Sequence, residues 1–337
     1  MPVSGERAYV YAKACGIIGK SFIGKRISAL GGVSRLSELD RLVFPQTSRE
    51  LPERELLLDL ENRIIGRSIQ QILTIVDSYK KPPPLLRRLV RVYEYGDLKS
   101  VLSALAGRGG KMPVFTDIGS FGTVNFKAYP DLPAMVRGTE FEFLIKEKLP
   151  ADTDAGVISL QIKLDRHFYT SLWQDLLSLP KKDRLSAERI LAEEISLRNV
   201  VWALRLRTYY GLPPEEVRDM IFSLPGKKSL TEDAEASLSM ALDNHADWER
   251  WKRLSFLNPE TPERPWRADP RTFQNAASEY LYRLARLSFR QRPFSIDTAF
   301  CFIKLKQFEE DLLTSIAEGL GLGMPSRDVF DLLEVQS

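Results

Sequence analysis

The chain has 337 residues, with 48 Lys plus Arg against 45 Asp plus Glu for a formal charge of +3, and it is 44% hydrophobic and 28% charged. So even a balance leaves only local basic patches and excludes the concentrated positive surface on which nucleic-acid binding depends. The composition also excludes disordered and collagen-like chains, and the length suggests two or three units of ~100 to 200 residues with a core that needs no external staple. Cys15 and Cys301 lie far apart without the spacing of a thiolate metal site or redox pair, which fits a reduced, cytoplasmic protein. No run approaches the ~18 consecutive apolar residues of a spanning helix. Glu6 and Arg7 fall where a secretion signal would begin its apolar region.

In chain order, Val10, Ala14, Ile17, Ile18 and Phe22 trace one helical face. Pro52 precedes a stretch from Glu53 to Tyr79 in which Ile65, Ile69, Ile72 and Val76 recur at steps of four, three and four, predicting a long helix. Pro82, Pro83 and Pro84 punctuate the chain, and Leu86, Val90, Tyr93, Leu98, Val101, Leu102 and Leu105 carry a second helical pattern to Gly107, giving a hairpin. Residues 108–133 mix Gly, Pro and aromatics with no helical period and read as a connector between units. Helical patterning returns in LDRHFYTSLWQDLLSLP and SAERILAEEISLRNVVWALRLRTYY, breaks at Gly211, Pro213 and Pro214, and continues through PPEEVRDMIFSLPG and TEDAEASLSMALDNHADWERWKRL. An irregular, Pro-rich passage spans residues 258–270. Beyond it Phe273, Ala277, Tyr280, Leu284 and Leu287 share a helix face, and PFSIDTAFCFIKLKQFEEDLLTSIAEGL forms the last long helix before Gly319, Gly321 and Gly323. Nearly every periodic segment has the 3.6-residue period, which predicts an all-α fold.

EYGDLKSVLSAL, EISLRNVVWALR and FEEDLLTSIAEGL resemble one another. Aligning Asp97, Ser196 and Glu309 brings Val101, Val200 and Leu313 into register at intervals of 99 and 113 residues. The expectation is three helical repeats over residues 1–110, 111–228 and 229–337.

Residues 14–21, ACGIIGKS, satisfy a relaxed phosphate-loop pattern, with Gly19, Lys20 and Ser21 as its working residues and ILTIVD ending at Asp77 as a candidate magnesium-holding strand. A phosphate loop needs a buried strand that delivers converging backbone N–H groups to a helix N-terminus, whereas both segments sit in helical patterns. Helix packing is therefore the expectation, and nucleotide-dependent catalysis the alternative. The alternate glycines of GLGLGMP follow a helix and are read as its terminator. His167 and His245 are too few for a multi-histidine metal site, and His167 in LDRHFYTSL reads as structural. No catalytic, cofactor or metal residue is assigned. Two basic groups stand out: Arg283, Arg286 and Arg290 on one helix stripe with Arg292 just beyond, and Lys80, Lys81, Arg87, Arg88 and Arg91 around the triple proline. Such stripes suit a solvated face, an acidic partner or lipid head groups.

EISLRNVVWALRLRTYYGLPPEEV resembles the Glu-Ile-Asp-x-x-Asn-Ile-x-x-x-Leu-Arg signature of the C-type subunits of V-type and A-type ATPases, whose eukaryotic counterpart is the d-type subunit. The likeness extends in order to AYVYAKA, YEYGDLKSVL, LDRHFYTSL and PFSIDTAFCFIKLKQFEEDLLTSIAEGLGLGMPSRDVFDLL. Ser196 departs from the signature's Asp, and Leu312 stands where the third repeat often has Asn. The resemblance implies a non-catalytic rotor component of three helical domains around a pseudo-threefold axis, forming a funnel. It would receive the central stalk at one end and rest on the membrane proteolipid ring at the other, peripheral to the cytoplasmic face, with transient contact to the stator. ATP hydrolysis or synthesis would thereby be linked to proton or sodium transport. Arg283, Arg286, Arg290 and Arg292 are the candidate partner-binding residues, and an unrelated helical-repeat scaffold is the remaining alternative.

Overall fold

The computed structural model describes residues 3–107, 113–146, 154–249, 251 and 266–333. Fourteen α-helices and short 3-10 turns account for its regular structure, and no strand occurs among the described residues. The helices are α1 (Val3–Ile18), α2 (Leu36–Val43), α3 (Glu53–Val76), α4 (Pro84–Val90), α5 (Val92–Leu105), α6 (Leu132–Val136) and α7 (Asp154–Leu177). They continue with α8 (Leu185–Tyr209), α9 (Pro214–Met220), α10 (Glu232–Leu238), α11 (His245–Glu249), α12 (Pro270–Gln291), α13 (Ile296–Gly321) and α14 (Ser326–Leu333). The all-α expectation holds. The chain divides into two units, residues 1–68 with 182–337 and residues 69–181. Residues 258–265 of the Pro-rich passage, and residues 108–112 of the segment read as a connector, lie outside the described residues.

The division falls inside α3, and the helix changes its buried face there. Leu56, Leu60 and Ile64 are buried at steps of four in the first unit, while Ile69, Ile72 and Val76 are buried at steps of three and four in the second. Ile65, which the periodicity assigns to the buried stripe, is only half-buried because the shift of phase occurs beside it. A single stripe read from sequence thus serves two cores in succession.

In the unit of residues 69–181, α4 and α5 pack on α7. Leu85, Leu86, Leu89, Val90, Leu98 and Val101 are fully buried against a side of α7 that includes Leu164, Leu172 and Leu176. Gly107 closes α5 at φ 78°, the left-handed conformation that favours glycine after a helix. The aperiodic segment that follows is tied to α5 by buried carboxylates. Asp97 accepts from Thr116 N at 2.7 Å and from its Oγ1 at 3.2 Å, and Glu94 accepts from Val124 N at 2.6 Å and Thr123 N at 2.5 Å. Residues 113–136 therefore belong to the body of this unit, a role that missing periodicity cannot reveal.

In the other unit, α8 lies against α10, α12 and α13, and α12 and α13 form the closing hairpin. Val200, Leu204, Trp248 and Phe273 meet in its apolar core, where the Trp248 Nε1–H donates to Ala241 O at 2.7 Å and its ring stands edge-on to Phe273 at 5.1 Å. Val101, Val200 and Leu313 are all fully buried. The N-terminus of α8 has no capping side chain of its own. Asp297, fully buried at the start of α13, supplies one by accepting from Ser186 N and Ala187 N at 3.0 Å each.

The glycines after Glu318 divide between two tasks. A Cβ on Gly319 would stand 2.3 Å from Val329 Cγ2, and one on Gly321 2.8 Å from Leu57 Cδ2, so both positions permit close packing. Gly323 at φ 80° ends α13, with Met324 N reaching back to Gly319 O at 2.9 Å.

Candidate partner-binding surface

Asp269 caps α12 by accepting from Arg271 N at 2.8 Å, and Pro270 occupies its first turn. One side of the helix buries Phe273, Ala277, Leu284, Ala285 and Phe289. The opposite side exposes Arg283, Arg286 and Arg290 on successive turns, and Arg292 is exposed just past the helix end. All four arginines named from sequence are thus at the surface of one hairpin. Leu287 breaks the expected apolar series, because it is 63% exposed between Arg283 and Arg290. The buried side has drifted to Ser288 and Phe289 by that point, so a step of three from Leu284 carries residue 287 off the core.

Arg283 Nε donates to Glu279 Oε1 at 2.7 Å. Burial raises the Glu279 pKa, and Arg283 and Arg286 only partly offset it. The Arg286 guanidinium passes over Gly24, within 3.7 Å of where a Cβ would stand. Gly24 has φ 59° and donates its N–H to Tyr282 Oη at 2.7 Å, so its left-handed turn is required for the loop beneath the stripe. Among the described residues, Arg286, Arg290 and Arg292 form no ion pair. Past Arg292, Phe294 adopts φ 72°, uncommon for a residue with a side chain, and remains 51% exposed with its ring edge-on to Tyr11 at 5.6 Å. Neither exposed apolar residue, Leu287 nor Phe294, was legible in the sequence. The surface combines forked cations with two isolated apolar side chains, which suits recognition of another macromolecule.

The second basic group forms a bonded network. Arg88 donates from Nε to Asp175 Oδ2 at 3.0 Å and from Nη1 to Glu140. Arg91 donates from Nε to Glu94 Oε2 at 3.0 Å and from Nη2 to Thr123 Oγ1 at 2.6 Å, and its Nη2 is ion-paired with Glu140 Oε1 at 3.0 Å. Burial disfavours the charged form of Arg88, but the bonds to Glu140 and Asp175 outweigh it and hold the guanidinium protonated. Burial likewise opposes ionisation of Glu140, and Arg88 and Arg91 overcome it to lower that carboxyl's pKa. His167 sits at the back of this network, with Nδ1 2.7 Å from Tyr95 Oη. Burial lowers its pKa, with Arg88 and Arg91 adding to the effect against Glu140, so the imidazole is neutral at physiological pH. It is packed among Tyr95, Phe141 and Phe143, the structural role expected for it.

The phosphate-loop match has helix-end geometry. Gly19 N bonds Cys15 O at 2.9 Å, Lys20 N bonds Ile17 O at 3.0 Å and Ser21 N bonds Ile18 O at 3.1 Å, so these N–H groups are spent on the chain itself. The Ser21 hydroxyl donates to Ile17 O, and it accepts from the buried Lys306 Nζ at 3.2 Å. ILTIVD lies at the end of α3, a helix where a magnesium-holding strand would be required. Among the described residues no group of three or more His, Cys, Asp or Glu side chains is placed to hold a metal ion, and no helix is long and apolar enough to cross a membrane.

The described residues form an all-helical protein whose buried polar groups fasten loops and whose α12 arginine stripe is exposed. Comparison with known proteins gives the class its particular form. The family model described as ATP synthase (C/AC39) subunit matches residues 50–329, and the chain belongs to that family. It is thus related to a non-catalytic subunit of the V/A-type ATPase, a membrane-associated complex. The chain is also similar to an uncharacterized protein of Treponema pallidum (strain Nichols), with 27% identity over 319 residues that cover 94% of this chain and 92% of the relative.

Proposed function

We propose that this chain is the socket of the ATPase rotor. Three helical domains around a pseudo-threefold axis, divided as residues 1–110, 111–228 and 229–337, would form a funnel that receives the central-stalk subunits and rests on the proteolipid ring. Torque from ATP hydrolysis then passes through it to move protons or sodium ions, and in synthesis the direction reverses. The observation that carries this reading is the family match across residues 50–329 of an all-helical chain. A rotor joint must be stiff yet assembled from separate parts, which favours shape complementarity and dispersed polar contacts over one anchoring residue. The exposed Arg283, Arg286, Arg290 and Arg292 on the α12–α13 hairpin supply one such surface, because forked guanidinium groups bridge carboxylates.

Deletion of this chain from the complex tests the role directly. The ATPase head should still hydrolyse ATP while ATP-driven ion pumping disappears; pumping at normal coupling without this chain would refute the socket. Reversing Arg283, Arg286 and Arg290 together to Glu should weaken assembly in a salt-sensitive manner and leave the circular dichroism of the isolated chain unchanged. Assembly that is indifferent to this reversal would remove the α12 stripe from the interface.

A further inference from the structure

The rotor reading leaves the second basic group unused. Beside α4 and α5 lies a cleft of roughly 290 Å³, walled by Arg87, Arg88, Arg91, Ser120, Phe121 and Thr123. That volume is at the small end of ligand sites, about the scale of a compact polar ligand. Two of its arginines are fixed before any ligand arrives: Arg88 is clamped by Asp175 and Glu140, and Arg91 by Glu94, Glu140 and Thr123. These bonds use Nε and Nη1 of Arg88 and Nε and Nη2 of Arg91. The Arg88 Nη2 and Arg91 Nη1 donors therefore have no partner among the described residues. Arg87 is exposed, and among the described residues neither its guanidinium nor the exposed Ser120 hydroxyl has a hydrogen-bond or ion-pair partner.

The carboxylates are engaged in return, Asp175 through one oxygen only. Asp175, which also lines the cleft, accepts from Arg88 Nε, and Glu94 is buried accepting from backbone N–H groups at Thr123 and Val124. What remains toward solvent is a set of donors from three arginines and one hydroxyl, with Asp175 Oδ1 as an acceptor among them. A carboxylate offers its lone pairs in a single plane, whereas a phosphate monoester or free phosphate presents three or four oxygens in tetrahedral directions, which suits donors that come from a helix and a separate loop. We propose that this cleft is a binding site for a phosphate group, either free or carried on a head group, with Arg87 as the residue that closes on it. The site is independent of the rotor reading, since a chain that binds no phosphate can still couple stalk to ring. It is also distinct from the helix-end match at Gly19, Lys20 and Ser21.

The test is calorimetric titration of the full chain with inorganic phosphate, against chloride at matched ionic strength. Saturable binding at one site is expected. Arg87→Gln, exposed and without a structural partner, should weaken it ~10-fold or more, Ser120→Ala should weaken it by a smaller factor, and Lys20→Ala should leave it unchanged. Vesicles containing phosphatidic acid, with phosphatidylcholine vesicles as blank, separate the two sources. Phosphate binding without vesicle binding supports a free anion, and vesicle binding lost in Arg87→Gln supports a head group. The proposal is overturned by absence of saturation below ~10 mM phosphate, by chloride matching the phosphate signal, or by unchanged affinity in Arg87→Gln with its fold intact by circular dichroism.

Discussion

Asp97 on α5 and Glu309 on α13 occupy aligned places in two helical patterns, are both buried, and respond to burial in opposite ways. Asp97 accepts only from the Thr116 amide and hydroxyl, and burial pushes its pKa up to about 6 against those bonds. Glu309 accepts from Phe22 N at 2.7 Å and is flanked by Lys306 and Arg67, whose charges overcome the adverse burial and lower its pKa. At the third aligned place Ser196 carries no charge, and its hydroxyl donates at 2.7 Å to Asp233 from α10. Each helix thus presents a buried polar group that fastens a neighbouring segment, but the carboxylate can stand alone, sit between cations or be moved to the segment being fastened. On α8 the charge beside Ser196 thus comes from the fastened segment, through Asp233. Asn199, three residues on, continues the fastening through Nδ2 to Phe222 O and Leu230 O at 2.8 Å each. Leu312 replaces it on α13, where Ser21, Phe22 and Arg67 meet the Lys306–Glu309 pair instead.

The sharpest way to break the comparison is Val200→Asp, which puts an unpaired charge into the register shared with Val101 and Leu313. It should cost more than ~5 kcal/mol and abolish cooperative folding in urea, whereas a loss within ~0.5 kcal/mol would mean that α8 is misphased. Lys306→Met should come next, at ~3–5 kcal/mol, because it removes one of the two cations beside a buried carboxylate; adding Glu309→Leu should recover part of that loss in the same urea assay. Ser196→Ala should cost ~1.5–3 kcal/mol by removing a hydrogen bond to the buried Asp233 carboxylate, and a neutral result would deny Ser196 a share in the fastening.

The smallest effect is one of pH. Asp97 is held at about 6 in the fold against ~3.9 when unfolded, so the native state binds its proton more tightly. Its contribution to stability is fully present below about pH 4 and is lost as pH rises through about 6. Asp97→Asn should therefore gain on the wild type by ~1–3 kcal/mol between about pH 4 and about pH 7, measured as the difference of their urea unfolding free energies. A constant difference across that range would place Asp97 with the ordinary carboxylates.

By itself the sequence determined the helical class, most long-helix spans and the exposure of the arginine stripe, because a 3.6-residue alternation of apolar and charged side chains is a local property. It also placed ACGIIGKS in a helical pattern, and Val10 and Ala14 are buried on α1, although that helix ends at Ile18 and Phe22 is buried beyond it. Tertiary structure alone decided the rest. The change of face within α3 depends on which core each half meets, and the exposure of Leu287 on drift of the buried side along α12. The fastening of residues 113–124 to Glu94 and Asp97 leaves no periodic trace, because a loop held by backbone N–H groups can carry almost any side chains. The Arg88–Arg91 network was visible only as a cluster of positive residues. Its carboxylates come from positions 94, 140 and 175, and no local pattern links residues that distant in the chain.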